Sequence, residues 1–114
     1  MLSLSEKDKA NLLAILDCAT KITGFVDGIS DSEEFYEDEK TFDAVLMNFV
    51  VIGEAASKLS TSTKEAIKEI PWSKIKSFRD FIAHNYLGVN ASEVWQIIVN
   101  DLAPLIKSIE KSIA

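Results

Sequence analysis

The apolar residues of this chain recur every three to four positions, a spacing that favours α-helices over strands. Two long stretches show the spacing most clearly, and the segment after residue 90 repeats it. No segment alternates apolar and polar residues as a half-buried strand does. The pattern therefore predicts an all-α fold. The first stripe is Leu12, Ile15, Leu16, Ala19, Ile22, Val26 and Ile29, and the second is Phe42, Val45, Leu46, Phe49, Ile52, Gly53, Ala56 and Leu59.

Local signals mark the helix boundaries. Ser5 followed by Asp8, and the run from Ser62 to Glu65, resemble capping boxes, in which side chains satisfy the free N–H groups of a first turn. Pro104 is expected to bend the last helix, because proline lacks an N–H and crowds the preceding turn. We predict an up-and-down bundle of four main helices plus a short one, in a single domain spanning residues 1–114. The remaining breaks and starts are Gly28, Pro71, Gly88 and Asn90.

Composition excludes several classes of protein. No apolar run approaches the ~18 residues that a membrane span needs, and the first residues lack the basic and apolar regions of a secretory signal. The single cysteine, Cys18, cannot form an intramolecular disulfide and fits a reducing cytoplasm. With one Cys and one His, we expect no structural zinc site, and the sequence indicates no cofactor. A net charge of −6 argues against broad nonspecific nucleic-acid binding.

The charge is unevenly distributed along the chain. Residues 27–39 carry seven acids and no base, which we interpret as a solvated loop and helix start, with a partner-docking surface as the alternative. Residues 64–79 carry five bases against two acids. This second stretch is either a solvated helix surface or a local patch that faces phosphate.

The only arginine and the only histidine lie five residues apart, as Arg79 and His84. Arginine grips phosphate with a fork of donors, and histidine exchanges protons near neutral pH. On an ideal helix, Asp80 and His84 share a face, which permits a carboxylate–imidazole contact. Arg79 and His84 are about 140° apart on the same helix, a poor geometry for converging on one atom. A second copy in a two-fold dimer could complete the site.

Such a site suits metal-independent cleavage of RNA through the ribose 2′-hydroxyl. That reaction needs a base for the hydroxyl, an acid for the leaving oxygen and positive charge at the phosphate. His84 can serve the first two roles, from the two subunits, and Arg79 the third. The product would carry a 2′,3′-cyclic phosphate.

Arg79, His84 and Tyr86 form an R-x4-H-x-Y pattern that resembles the HepT-like members of the HEPN superfamily. The flanking runs at residues 70–72, 87–90 and 51–56 are similar to that family too. The resemblance implies an all-α homodimer with a metal-independent endoribonuclease site at the dimer cleft. It also implies the toxin of a toxin–antitoxin pair, whose antitoxin is a minimal nucleotidyltransferase that can adenylylate the motif tyrosine, here Tyr86. Asp80 is carried over as a supporting residue.

Two other functions remain open at this point. The chain could be a noncatalytic HEPN module that binds a nucleotide or partner and regulates a nucleotidyltransferase, or a purely structural helical dimer. Near the motif, Gly53 is expected to permit close helix approach. Glu54 lies among apolar residues and is expected to be either a buried carboxylate or an interface contact. We expect it to accept hydrogen bonds, from the motif helix among others, because an unpaired buried carboxylate is costly. Trp72 and Trp95 are expected to be core or interface anchors.

Overall fold

The computed structural model describes residues 3–114, which form six α-helices and one 3₁₀ turn without a strand in that range. The predicted all-α fold is confirmed, with four long helices and two short ones where the sequence indicated one. No helix in the described range is long and apolar enough to cross a membrane. The elements are α1 (Glu6–Phe25), α2 (Ser32–Glu37), α3 (Glu39–Ser57), α4 (Thr61–Ala66), α5 (Trp72–His84), the 3₁₀ turn (Tyr86–Gly88) and α6 (Ala91–Ile113).

The core lies where the long helices meet. α1 packs against α3 and α6, and α3 also packs against α5. The helical stripes of the sequence supply most of the buried side chains, so their burial from water is the main stabilising term. Cys18 lies among these core residues of α1 and is 6% exposed. Fully buried side chains include Leu12, Ile15, Ile22, Phe35, Val45, Leu46, Val94 and Ile109.

The acidic stretch contains a helix that the sequence analysis did not predict. α2 is capped by Asp31, whose carboxylate accepts a hydrogen bond from the backbone N–H of Glu34 at 2.9 Å. Phe35 is fully buried, and its ring lies 5.2 Å from that of Phe42 and 5.5 Å from that of Trp95. One aromatic side chain therefore anchors the acidic segment, and Trp95 packs against the core as expected.

A buried carboxylate joins the beginnings of α1 and α4. Asp8 is 4% exposed and accepts hydrogen bonds from the Ser60 backbone N–H at 3.0 Å and the Thr63 hydroxyl at 2.6 Å. The Ser60 hydroxyl also donates to Asp8, and these bonds hold the pKa of Asp8 below its usual value. The predicted cap at Ser62 is therefore wrong: Ser60 caps α4, because it is placed to bond both the helix and Asp8. Ser5 caps α1 as predicted, by accepting from the Asp8 N–H at 3.0 Å.

The motif helix is shorter than its sequence suggests. α5 ends at His84, four residues before the predicted stop at Gly88, because Tyr86–Gly88 turn into a 3₁₀ conformation. Gly28, by contrast, adopts a φ of 88° after α1, a conformation that glycine adopts without strain. α6 runs through Pro104 from its cap at Asn90, whose side chain accepts from the backbone N–H groups of Ser92 and Glu93.

Candidate functional site

Arg79 lies against α3 because Gly53 leaves room for it. A β-carbon built on Gly53 would lie 2.3 Å from Cβ and 2.5 Å from Cγ of Arg79, far inside normal contact distance. The missing side chain thus lets α3 and α5 approach closely, as the sequence predicted. The Arg79 side chain is consequently only 16% exposed although it is charged.

Two carboxylates surround the guanidinium of Arg79. Nη1 donates to Oε1 of Glu54 on α3, which confirms the expected hydrogen bond between Glu54 and the motif helix. Nε lies 2.8 Å from Oδ1 of Asp80 but makes no hydrogen bond among the described residues. The Glu54 contact raises the pKa of Arg79 above its usual value. Because a guanidinium has five N–H donors, Arg79 keeps donors for an incoming anion.

His84 is held by the backbone of α5. Its Nδ1 lies 2.7 Å from the carbonyl oxygen of Asp80, one helical turn earlier. A carbonyl oxygen can only accept, so Nδ1 carries the proton in this contact and Nε2 is left with a lone pair in the neutral ring. The ring is at the exposed end of the helix.

The carboxylate of Asp80 does not make the contact with His84 that helix geometry permitted. Its Oδ2 accepts from Nζ of Lys76 at 3.2 Å, and its Oδ1 faces Arg79. The Lys76 hydrogen bond and the neighbouring Arg79 charge hold the pKa of Asp80 below its usual value. Asp80 therefore contacts the motif through two different groups: its carbonyl oxygen lies against His84, and its carboxylate flanks Arg79.

Tyr86 lies on the 3₁₀ turn and faces α3. Because α5 ends at His84, Tyr86 does not align with Arg79 on one continuous helix face. Its hydroxyl donates to Oδ1 of Asp43 at 2.5 Å, and this bond raises the pKa of Tyr86. The side chain remains accessible, since Tyr86 is 46% exposed.

One face of α3 runs beside all of these groups. Asp43, Met47, Val51 and Glu54 fall within about 80° of the helix circumference. Asp43 and Glu54 bind Tyr86 and Arg79 at the two ends. Met47 and Val51 lie between them and are 62% and 39% exposed. The motif thus borders an exposed apolar strip on α3.

Residues 15–112 match the protein family described as Ribonuclease HepT-like. The match covers most of the 114-residue chain, including every residue of the motif region and the α3 face. The chain belongs to the ribonuclease HepT-like family.

Named relatives of the chain agree with this family. A protein of Methanocaldococcus jannaschii named "Putative RNase" is 33% identical over 111 residues, covering 96% of this chain and 91% of the relative. The "Probable ribonuclease HepT" of Thermococcus cleftensis is 34% identical over 79 residues, covering 69% of this chain and 72% of the relative. A "Putative RNase" of Caldanaerobacter subterraneus subsp. tengcongensis is 33% identical over 86 residues, covering 75% and 76%. No solved structure matches the chain.

A separate apolar groove of about 410 Å³ lies between α3, α5 and α6. Phe49, Phe78 and Leu105 line it, and none of the motif residues does. Its lining is mostly apolar, with Glu69, Lys74 and Asp101 as its charged members, and it contains neither the arginine nor the histidine of the chain. Within residues 3–114, no cluster of three or more His, Cys, Asp or Glu side chains is arranged to hold a metal ion.

Nothing in the sequence marks Asp43 as a partner of the motif. Asp43 is one of many exposed acids in the chain, and 43 residues separate it from its partner Tyr86. Only the packing of the 3₁₀ turn on α3 brings the two together. Glu54 pairs with Arg79 as expected, but the expectation that it is a buried carboxylate is wrong, because its side chain is 51% exposed.

Proposed function

We propose that this HepT-like protein is a metal-independent endoribonuclease whose composite site forms from Arg79 and His84 at a homodimer cleft. We further propose that it is the toxin of a toxin–antitoxin pair and that a minimal nucleotidyltransferase antitoxin neutralises it by adenylylating Tyr86. The observation that carries the proposal is the position of Arg79 and the orientation of the His84 ring. Arg79 is fixed on α3 with donors to spare, and His84 presents a free Nε2 at the exposed end of the same helix.

The orientation of His84 supports proton transfer. With Nδ1–H directed to the Asp80 carbonyl, Nε2 can take the proton of a ribose 2′-hydroxyl. The 2′-oxygen then attacks the adjacent phosphorus, and the bond to the 5′-oxygen breaks. A protonated His84 of the second subunit gives its proton to that leaving oxygen. The product carries a 2′,3′-cyclic phosphate.

Arg79 suits the stabilisation of the phosphate as charge develops on it. Its position is fixed before substrate arrives, so little reorganisation is needed during the reaction. The guanidinium fork matches the oxygens of a phosphodiester. The carboxylate of Glu54 offsets part of the positive charge of Arg79. The attraction of RNA to Arg79 therefore depends on the N–H donors that Glu54 does not occupy.

The homodimer is supported by the exposed strip on α3. Met47 and Val51 would lose contact with water if a second copy covered them, and burial of apolar surface stabilises association. With one histidine per chain, two subunits supply separate base and acid. In a two-fold arrangement, the motif of each subunit borders the same cleft.

Adenylylation of Tyr86 would block this cleft. The added phosphate anion could pair with an arginine that otherwise binds RNA, and the adenine would fill space beside it. Tyr86 is 46% exposed, and a modification site must be accessible.

The test of the nuclease is RNA cleavage in EDTA by purified, unmodified protein, with analysis of the fragment 3′ ends. We expect cyclic-phosphate ends from the wild type and a loss of about 100-fold or more in His84→Ala and Arg79→Ala. Lys74→Ala removes a cation of the same helix that lines the separate apolar groove, so its rate should stay at the wild-type level.

Cleavage that persists in His84→Ala, or that EDTA abolishes in the wild type, would contradict the proposed chemistry. If a varied RNA pool stays intact and mass spectrometry finds Tyr86 unmodified, the noncatalytic binding module becomes the better reading.

A further inference from the structure

The two tyrosines of the chain lie on one open cavity but differ in chemistry. The cavity has a volume of about 610 Å³, and both Tyr36 and Tyr86 line it. Tyr36 is the more exposed, at 64% against 46%. Exposure alone would therefore favour Tyr36 as a site of modification. In the described part of the chain, however, only the Tyr86 hydroxyl is hydrogen-bonded to a carboxylate.

We propose that Asp43 is the residue that aims the Tyr86 hydroxyl and accepts its proton during adenylyl transfer, so that Asp43 selects Tyr86 over Tyr36. This inference rests on the proposed modification of Tyr86 and adds the residue that makes it possible.

The geometry supports both roles of Asp43. Oδ1 lies 2.5 Å from the phenolic oxygen, within the reach of direct proton transfer. Asp43 is on α3, a rigid helix, whereas Tyr86 is on a short 3₁₀ turn beyond the end of α5. The bond fixes the direction of a side chain that the turn alone would hold loosely. Because the hydroxyl donates in this bond, the lone pairs of the phenolic oxygen remain free to attack.

The bond also determines when the proton moves. An acceptor carboxylate stabilises the neutral phenol and so raises the pKa of Tyr86. A phenol is neutral at pH 7 in any case, and this bond favours the neutral form further. The proton leaves only as the oxygen gains bonding to phosphorus and becomes more acidic.

The transfer step balances as follows. The Tyr86 oxygen attacks the α-phosphorus of ATP held by the nucleotidyltransferase, and an O–P bond forms. The bond from the α-phosphorus to the bridging oxygen of the β-phosphate breaks, and pyrophosphate leaves. The phenolic proton passes to the Asp43 carboxylate and from there to solvent.

The experiment measures the initial rate of adenylate addition by intact mass, with the cognate minimal nucleotidyltransferase, ATP and Mg²⁺. We expect Asp43→Asn to slow the addition about 100-fold at pH 7. Asp43→Glu should recover part of the rate, because it restores a carboxylate. Tyr86→Phe should gain no adenylate, and Tyr36→Phe should be modified at the wild-type rate.

A pH profile separates proton transfer from a merely structural role. In Asp43→Asn, the tyrosine must ionise by itself, so the residual rate should rise about tenfold per pH unit between about pH 7 and 9. The wild-type rate should change much less over that range. The thermal unfolding midpoint of Asp43→Asn serves as the control for the fold, and it should match the wild type.

Different results would overturn different statements. Modification of Asp43→Asn at the wild-type rate, or a slower rate with an unchanged pH profile, would refute the role of Asp43 and leave the modification of Tyr86 intact. A wild-type protein that gains no adenylate would refute the modification of Tyr86 itself, and the role of Asp43 with it.

Discussion

Replacement of Gly53 by alanine tests whether the close approach of α3 and α5 positions Arg79. The added methyl group would lie 2.3 Å from Cβ and 2.5 Å from Cγ of Arg79. Carbon atoms normally approach to about 3.5–4.0 Å, so more than an ångström of space is missing. Cβ is attached directly to the backbone of α5, so a change of rotamer cannot move it. The two helices, or the start of the Arg79 side chain, must shift.

The stability change is the difference between two opposing effects. Forcing an extra methyl group into a packed site costs about 1–3 kcal/mol, and the severe overlap favours the upper end of that range. Alanine in a helix is more favourable than glycine by about 1 kcal/mol. The net loss is therefore about 1–2 kcal/mol. For a domain of this length, that lowers the unfolding midpoint by roughly 4–8 °C.

The effect on RNA cleavage should exceed the effect on stability. A displacement of about 1 Å at a group that contacts the reacting phosphate can cost about 100-fold in rate. We therefore expect Gly53→Ala to remain folded at 25 °C while its cleavage rate falls by about that factor. Circular dichroism during heating and a fluorescent RNA cleavage assay measure the two quantities.

Gly24→Ala is the matched control. Gly24 is also within a helix, but a β-carbon there would meet no atom within 4 Å. This variant should be as stable as the wild type or slightly more stable, with unchanged cleavage. If Gly53→Ala matched Gly24→Ala in both measurements, the close approach would have no part in positioning Arg79.

Two further predictions concern carboxylates. Asp8→Asn should lower the unfolding midpoint at pH 7. The difference in midpoint between the variant and the wild type should shrink as the pH falls below about 4. A carboxylate whose pKa is depressed in the folded protein stabilises the fold when it is ionised, and this stabilisation is lost as it becomes protonated. Melting curves from pH 7 to 3 measure this, and Asp17→Asn, at a residue of the same helix whose side chain is 64% exposed, should lower the midpoint at pH 7 far less. Glu54→Gln keeps a hydrogen-bond acceptor for Arg79 but removes a negative charge, so RNA should bind about threefold more tightly in low salt. Glu54→Ala should instead cleave more slowly, since it leaves Arg79 without that anchor, and equal behaviour of the two Glu54 variants in binding and cleavage assays would contradict this role.

The fold was predictable from sequence wherever burial alone determined the structure. The apolar stripes identified the long helices because a helix in a small domain must bury one face. α2 was missed because it is only six residues long and a single side chain, Phe35, anchors it. Such a segment has no period to detect, and its acidic residues suggested a solvated loop.

The prediction for Asp80 and His84 was right about proximity and wrong about the group involved. Four residues of helix bring the two within reach, but a carbonyl oxygen has two lone pairs and can accept from a side chain as well as from the helix backbone. The Asp80 carbonyl therefore competes with the carboxylate for Nδ1. The carboxylate meets Lys76 and Arg79 instead. Helical angles identify neighbours but do not decide which atoms pair.

Two carboxylates of α3 bind the first and the last residue of the motif. Eleven residues separate Asp43 from Glu54, about 16 Å along the helix axis. Their partners, Tyr86 and Arg79, are seven residues apart, and α5 together with the chain beyond it spans at most about 14 Å. The motif backbone is therefore shorter than the distance between the two carboxylates. The long side chains of Arg79 and Tyr86 span the remaining gap to Glu54 and Asp43. If Asp43 and Glu54 fix the positions of the motif, each carboxylate should matter only to its own partner. Moving Glu54 by one helical turn along α3 should slow the RNA cleavage that depends on Arg79. Moving Asp43 by one turn should slow the modification of Tyr86.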